Sequence, residues 1–158
     1  MLVILAPKRR RVLHVAVTCH PTAAWTAQQL REAFPWDRTP AYLIHDRDLA
    51  FQGLMATTKA VGIEDVRAAP RSPWQNPYVE RFIGSIRREC FDRVIVLTAA
   101  GLRTILNAYL AYYTNSRTHL SLDKDSPHSR PVCPLDGGCV TAIPEVGGLH
   151  HRYERRAA

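Results

Sequence analysis

The sequence predicts an α/β domain with a mixed sheet flanked by helices, and three observations carry that reading. Apolar runs of strand length alternate with helical periodicities through the middle of the chain, in the order β-β-α-β-α-β-α-α. At 158 residues and 46% hydrophobic content, the chain is long enough for one sizeable core and short for two. No apolar run approaches a membrane span, and Leu2–Ala6 is too short even for the core of a signal peptide.

The elements follow in order. Leu2–Leu5 and Val12–Val17 read as two strands of a hairpin, with Ala6–Arg11 as the polar turn and Leu13, Val15 and Val17 on one face. The basic turn can touch phosphate or simply be solvated. Thr22 is placed as an N-cap; Ala23, Ala27, Leu30 and Phe34 recur at helical spacing, and Pro35 ends the helix. After a loop that includes Asp37, Tyr42–Ile44 forms a short strand that runs into His45, Asp46, Arg47 and Asp48. Gln52–Ala60 is a helix closed by Gly62, and Ile63–Ala68 is a weaker strand.

Pro70, Pro73 and Pro77 keep the next stretch irregular until Asn76 and Pro77 open a helix. Its apolar stripe is Val79, Phe82, Ile83, Ile86 and Cys90. Glu80 stands in its first turn just off that stripe, with Arg87 two turns further on nearly the same face. Thr98 caps a last helix whose stripe is Leu102, Ile105, Leu106, Tyr109 and Tyr113, packed on the same core. Residues 1–125 are taken as the main domain and 126–158 as a Pro/Gly-rich linker and basic tail, with one short strand between Gly137–Gly138 and Gly147–Gly148.

Lys and Arg outnumber Asp and Glu by 21 to 14, a formal charge of +7, and the pI is near 9.6; this favours a polyanionic partner such as nucleic acid. Cys19, Cys90, Cys133 and Cys139 form no Cys-x-x-Cys pair, which argues against a zinc ribbon or a dithiol redox site and for free thiols.

Asp46 follows directly on a strand and Glu80 stands on a helix start, so each is held by a rigid element. Mg²⁺ binds through one or two carboxylates and keeps several waters, and two such ions serve phosphodiester displacement. A turn aspartate and a dipole-complementing glutamate are the ordinary alternatives. Trp74 and Tyr78 alternate with Arg71 and Arg81, a pattern suited either to strand ends of nucleic acid or to pinning a loop.

Taken together, His45-Asp46-Arg47-Asp48-Leu49-Ala50-Phe51, the Pro-rich loop, and Asn76-Pro77-Tyr78-Val79-Glu80-Arg81 resemble the catalytic core of DDE transposases and retroviral-type integrases, nearest to those of bacterial insertion sequences. Tyr112 to Leu122 is similar to the Tyr-Asn-x-x-Arg-x-His-x-x-Leu signature that follows the core in that family. The resemblance covers roughly Leu2 to Pro127. It implies an RNase H-like fold and metal-dependent DNA strand transfer in transposition. Asp46 and Glu80 would be catalytic and metal ligands for two Mg²⁺ or Mn²⁺ ions, with Phe51 as the aromatic after the Asp. Arg87 would contact DNA near the reacting end; from the aromatic and basic alternation, Arg71, Trp74, Tyr78 and Arg81, together with Arg88, are the further residues expected to bind DNA.

The family's first Asp lies on a strand before the hairpin, and on this alignment neither Asp37 nor Asp48 replaces it. The expectation is therefore an N-terminally truncated core, its first strand missing and its activity reduced or absent. Whether this chain is itself an enzyme stays open. The alternative is a non-catalytic DNA-binding remnant that associates with intact transposase; an RNase H-like nuclease that hydrolyses without joining fits the downstream signature less well. The implied partners are element-end and target DNA, with room for a homo-oligomer and none for a membrane, in bacterial cytoplasm at the nucleoid.

Overall fold

The computed structural model describes residues 1–35, 39–134 and 138–156. Asp37 and Gly137 lie outside them. Two compact units result: residues 1–5 with 13–81, and residues 6–12 with 82–158.

In the first unit the local signals act as expected. Strand β1 (Leu2–Ala6) pairs with β2 (Arg11–Ala16), and the turn between them falls to the second unit. Helix α1 (Ala23–Ala33) starts at Thr22, whose hydroxyl accepts the Trp25 N–H at 3.2 Å. Strand β3 (Tyr42–His45) and strand β4 (Glu64–Arg67) pair in parallel, Tyr42 opposite Glu64 and His45 opposite Arg67. Parallel strands need a crossover, and helix α2 (Leu54–Ala60) supplies it. Gly62, at φ +76°, makes the left-handed turn that ends α2. Ile4, Leu30, Phe34, Leu54 and Ile63 form the buried core, with Leu43 and Phe51 packed against it.

The expected single mixed sheet is not what forms. The α/β composition holds, but among the described residues the strands make three separate two-stranded sheets: β1-β2, β3-β4, and β5 (Cys139–Glu145) with β6 (His150–Arg156). Alternation of apolar residues specifies a strand and its faces, not which strand lies beside it. Leu13 is 40% exposed, because a two-stranded ribbon leaves much of its surface wet.

Helix α3 (Pro77–Glu89) begins where Asn76 and Pro77 place it, with the Asn76 carbonyl accepting the Glu80 N–H at 3.3 Å. The unit boundary falls within this helix, after Arg81. In the second unit Phe82, Ile86 and Cys90 are buried as expected; Ile83 is exposed, and Ser85 takes the inward position instead. Helix α4 (Ala99–Asn115) is capped by Thr98 and buries Leu106, Tyr109 and Tyr113. Phe82 meets Tyr113 edge-on, with ring centroids 4.9 Å apart.

The start of the Pro-rich linker and the basic end both make defined contacts. Ser126 and Pro127 are buried, and Arg9 from the basic turn pairs with Asp125 at 2.6 Å while donating to the Ser126 and Pro127 carbonyls. The basic end pairs antiparallel with β5 along its whole length, Cys139 opposite Arg156 and Glu145 opposite His150. All four cysteines are free, and only Cys90 is buried.

Candidate functional site

Asp46 leaves the end of β3 exposed, and the residues around it anchor it. His45, 6% exposed, turns inward: its Nε2 faces Asp65 Oδ1 at 2.7 Å and its Nδ1 donates to the Asp46 carbonyl. Phe51 packs on the imidazole at 4.9 Å, so the aromatic that follows Asp46 secures the strand end beneath it. One Asp46 oxygen accepts the Asp48 N–H at 3.1 Å, and Asp48 in turn accepts from Ala50 N at 2.8 Å. Asp48 is thereby a turn residue with its oxygen engaged.

Glu80 stands exposed in the first turn of α3, and its carboxylate meets no hydrogen-bond donor or cation among the described residues. A run of hydrogen bonds connects its helix to the Asp46 loop. Arg47 Nε donates to the Ala68 carbonyl at 3.0 Å, Ala69 N donates to Gln75 Oε1 at 2.6 Å, and Asn76 then receives the Glu80 amide. Each carboxylate thus hangs on backbone that is fixed from both sides, within one compact unit.

Hard oxygen donors of this kind suit a small divalent cation, which takes one or two carboxylates and fills its remaining positions with water. The exposed Asp46 and unpartnered Glu80 fit such a role individually. Among the described residues no group of three or more His, Cys, Asp and Glu is placed to hold a metal ion.

Of the residues expected to touch DNA, Arg71, Trp74, Tyr78 and Arg81 belong to the unit that holds Asp46 and Glu80. All four are exposed, Trp74 at 70%, and Arg71 has a positive φ of 56° at the bend of the Pro-rich loop. Arg87 and Arg88 belong to the second unit; Arg87 lies 3.7 Å from Asp92, and the Arg88 guanidinium lies over Gly84.

Two clusters hold an acid that escaped the sequence reading, Asp65 in one and Glu89 in the other. Asp65 sits in a short strand of mixed polarity where nothing local marks it as an inward acid. The second cluster gives the Tyr-Asn-x-x-Arg-x-His signature a structural role. Arg117 grips Glu89 with two hydrogen bonds, 2.8 Å from Nε and 2.6 Å from a terminal nitrogen, and the Tyr109 hydroxyl donates to the same carboxylate at 2.8 Å. Burial pushes the Glu89 carboxyl up, but the bonds from Arg117 and Tyr109 outweigh it and hold it below its ordinary value. His119 packs edge-on against Tyr113 at 4.9 Å. Burial, then the charges of Arg117 and Arg10, depress it to about 4.

Residues 61–127 match a family model described as an integrase core domain; that stretch includes Glu80 and the Tyr112–Leu122 signature, while Asp46 precedes it. The chain is also 26% identical over 143 residues to the "Insertion element IS476 uncharacterized 39.2 kDa protein" of Xanthomonas euvesicatoria. That alignment covers 89% of this chain and 41% of the relative, so the chain spans about two fifths of the length of the protein it matches.

Proposed function

We propose that this chain, which carries a DDE transposase/integrase-type domain, acts on DNA through Asp46 and Glu80 in metal-dependent strand transfer, with little or no activity by itself. The observation that supports the reading is that two exposed carboxylates, Asp46 after β3 and Glu80 on the first turn of α3, stand in one compact unit of a chain whose residues 61–127 match the integrase core. Asp46 and Glu80 would hold a divalent cation, Mg²⁺ or Mn²⁺. Such ions, when bound, supply Lewis acidity for phosphodiester displacement.

The remaining roles belong to the chain's own side chains. Arg71 and Arg81 pair with backbone phosphate, Trp74 and Tyr78 stack on unpaired bases at a strand end, and the braced His45–Asp65 pair keeps Asp46 oriented. Arg87 and Arg88, on the second unit, hold DNA phosphate on their own account. Among the described residues no helix is long and apolar enough to cross a membrane.

The test is a Mn²⁺ titration followed by the paramagnetic resonance of the free ion, alongside strand transfer on labelled duplex. Wild-type chain should bind Mn²⁺, and Asp46→Asn and Glu80→Gln should each weaken that binding at least tenfold with unchanged circular dichroism. Full metal binding in both variants, or joining that survives Asp46→Asn, overturns the assignment.

A second reading, DNA binding without catalysis, is favoured by the cationic excess of 21 Lys and Arg over 14 Asp and Glu. It expects duplex affinity that falls steeply with salt and ignores Mg²⁺.

A further inference from the structure

The β5–β6 ribbon has two chemically different faces. Register and the alternation of side chains place Thr141, Ile143, Glu145, His150, Arg152 and Glu154 on one of them. That face is neutralised within the ribbon and tied to its own unit. Arg152 lies 3.0 Å from Glu154, His150 stacks flat on Tyr112 of α4 at 4.3 Å, and the His150 Nε2 meets the Glu89 carbonyl at 3.0 Å.

The opposite face carries Val140, Ala142 and Pro144 on β5 against Arg155, Tyr153 and His151 on β6. It holds no acid. Tyr153 is 65% exposed and Val140 59%, while His151, Ala142 and Pro144 are exposed as well. Arg155 has only a neutral partner, donating to the Gly138 carbonyl at 3.1 Å, so its charge is not cancelled by a carboxylate among the described residues. Apolar ground, one ring at its centre, a second ring beside it and a guanidinium with no carboxylate partner among the described residues are thus held on one strip.

We propose that this outward face is a docking strip for single-stranded nucleic acid, with a base stacked on Tyr153 and a neighbouring phosphate held by Arg155. Charge complementarity selects a polyanion. Within the polyanions, the aromatic and apolar ground selects one whose bases are unstacked, because a duplex keeps its base faces covered and offers mainly phosphate and groove edges. The strip belongs to the second unit and uses neither Asp46 nor Glu80. It rests on the reading of DNA as this chain's partner, and not on metal-dependent chemistry.

The test is fluorescence anisotropy of a labelled mixed-sequence single strand and of the same sequence as duplex, over a range of salt. Wild-type chain should prefer the single strand. Tyr153→Thr, which keeps a strand-favouring residue, should weaken single-strand binding roughly tenfold, and Tyr153→Phe should restore it. Arg155→Gln should lower the salt slope by about 0.7, the value of one single-strand phosphate contact. Arg152→Gln removes the same charge from the neutralised face and should leave affinity within about twofold.

Equal losses from Arg152→Gln and Arg155→Gln, an unchanged affinity in Tyr153→Thr, or no preference for single strand over duplex would each overturn the proposal. Loss of Mn²⁺ binding sites with the strip intact leaves this inference standing, whereas intact Mn²⁺ binding with no effect at Tyr153 defeats it alone.

Discussion

The Nε2 of His45, at the last position of β3, lies 2.7 Å from Oδ1 of Asp65 on β4, and both side chains are 6% exposed. The other ring nitrogen donates to the carbonyl of Asp46. A buried acid on one strand therefore orients the backbone that presents an exposed acid at the end of its neighbour. Arg67, 3.7 Å from the second Asp65 oxygen, closes the arrangement from the solvent side.

Replacing Asp65 by Ala should test that support. It leaves a buried imidazole nitrogen without its partner, at a cost of about 1–3 kcal/mol in unfolding free energy. If Asp46 holds a cation, the same change should weaken Mn²⁺ binding by roughly tenfold or more although no ligand is removed, as outer-shell changes do. Urea unfolding and the Mn²⁺ titration together separate the two effects. A stability loss with unaltered Mn²⁺ affinity would show that the pair serves the sheet alone.

Arg117 should be irreplaceable by lysine. Its two hydrogen bonds to Glu89 use the planar guanidinium, which an ammonium cannot reproduce. Arg117→Lys is expected to lose about 1 kcal/mol and Arg117→Ala about 2–3 kcal/mol, the larger figure reflecting a half-buried carboxylate left with Tyr109 alone. Chemical denaturation at neutral pH reads both.

Acid should weaken the fold in a defined window. His119 is 4% exposed and is depressed from 6.5 to about 4, chiefly by burial. Between those values the unfolded chain binds a proton that the folded chain refuses, so stability is complete above about pH 6.5 and declines as pH falls toward 4. Glu89, lowered from 4.5 by Arg117 and Tyr109 against the opposing effect of burial, adds a further loss below that value. Thermal melts from pH 7 to pH 4 should show the decline, and His119→Gln should flatten its upper part. A wild-type melting temperature constant down to pH 4 would refute it.

Phe82 should be among the costliest positions in the second unit. It is 1% exposed and meets both Tyr109 and Tyr113. Phe82→Ala should destabilise by about 3–5 kcal/mol, whereas Ile83→Ala, one residue along on an exposed face, should cost under about 1 kcal/mol. Denaturant midpoints for the two variants discriminate the observed helix face from the stripe that includes Ile83.

By itself the sequence determined the local devices: Thr22 and Thr98 as caps, Pro77 as a helix start, Gly62 as a stop, and the strands around Tyr42–His45 and Glu64–Arg67. Each rests on hydrogen bonds and φ preferences that span a few residues, so neighbours in the chain suffice to specify it. It also marked Asp46, Glu80 and the Arg117–His119 signature as chemically notable. The tertiary structure alone decided what lies beside what. The parallel pairing of β3 with β4, Asp65 beneath His45, Arg9 on Asp125 and Arg117 on Glu89 all join residues far apart in sequence. The basic end shows the difference most clearly. Read locally, His150–Arg156 is a run of charge that water would solvate, but paired with β5 it becomes a two-faced ribbon. A strand's hydrogen bonds are made by its partner, and no residue within β6 encodes where that partner will be.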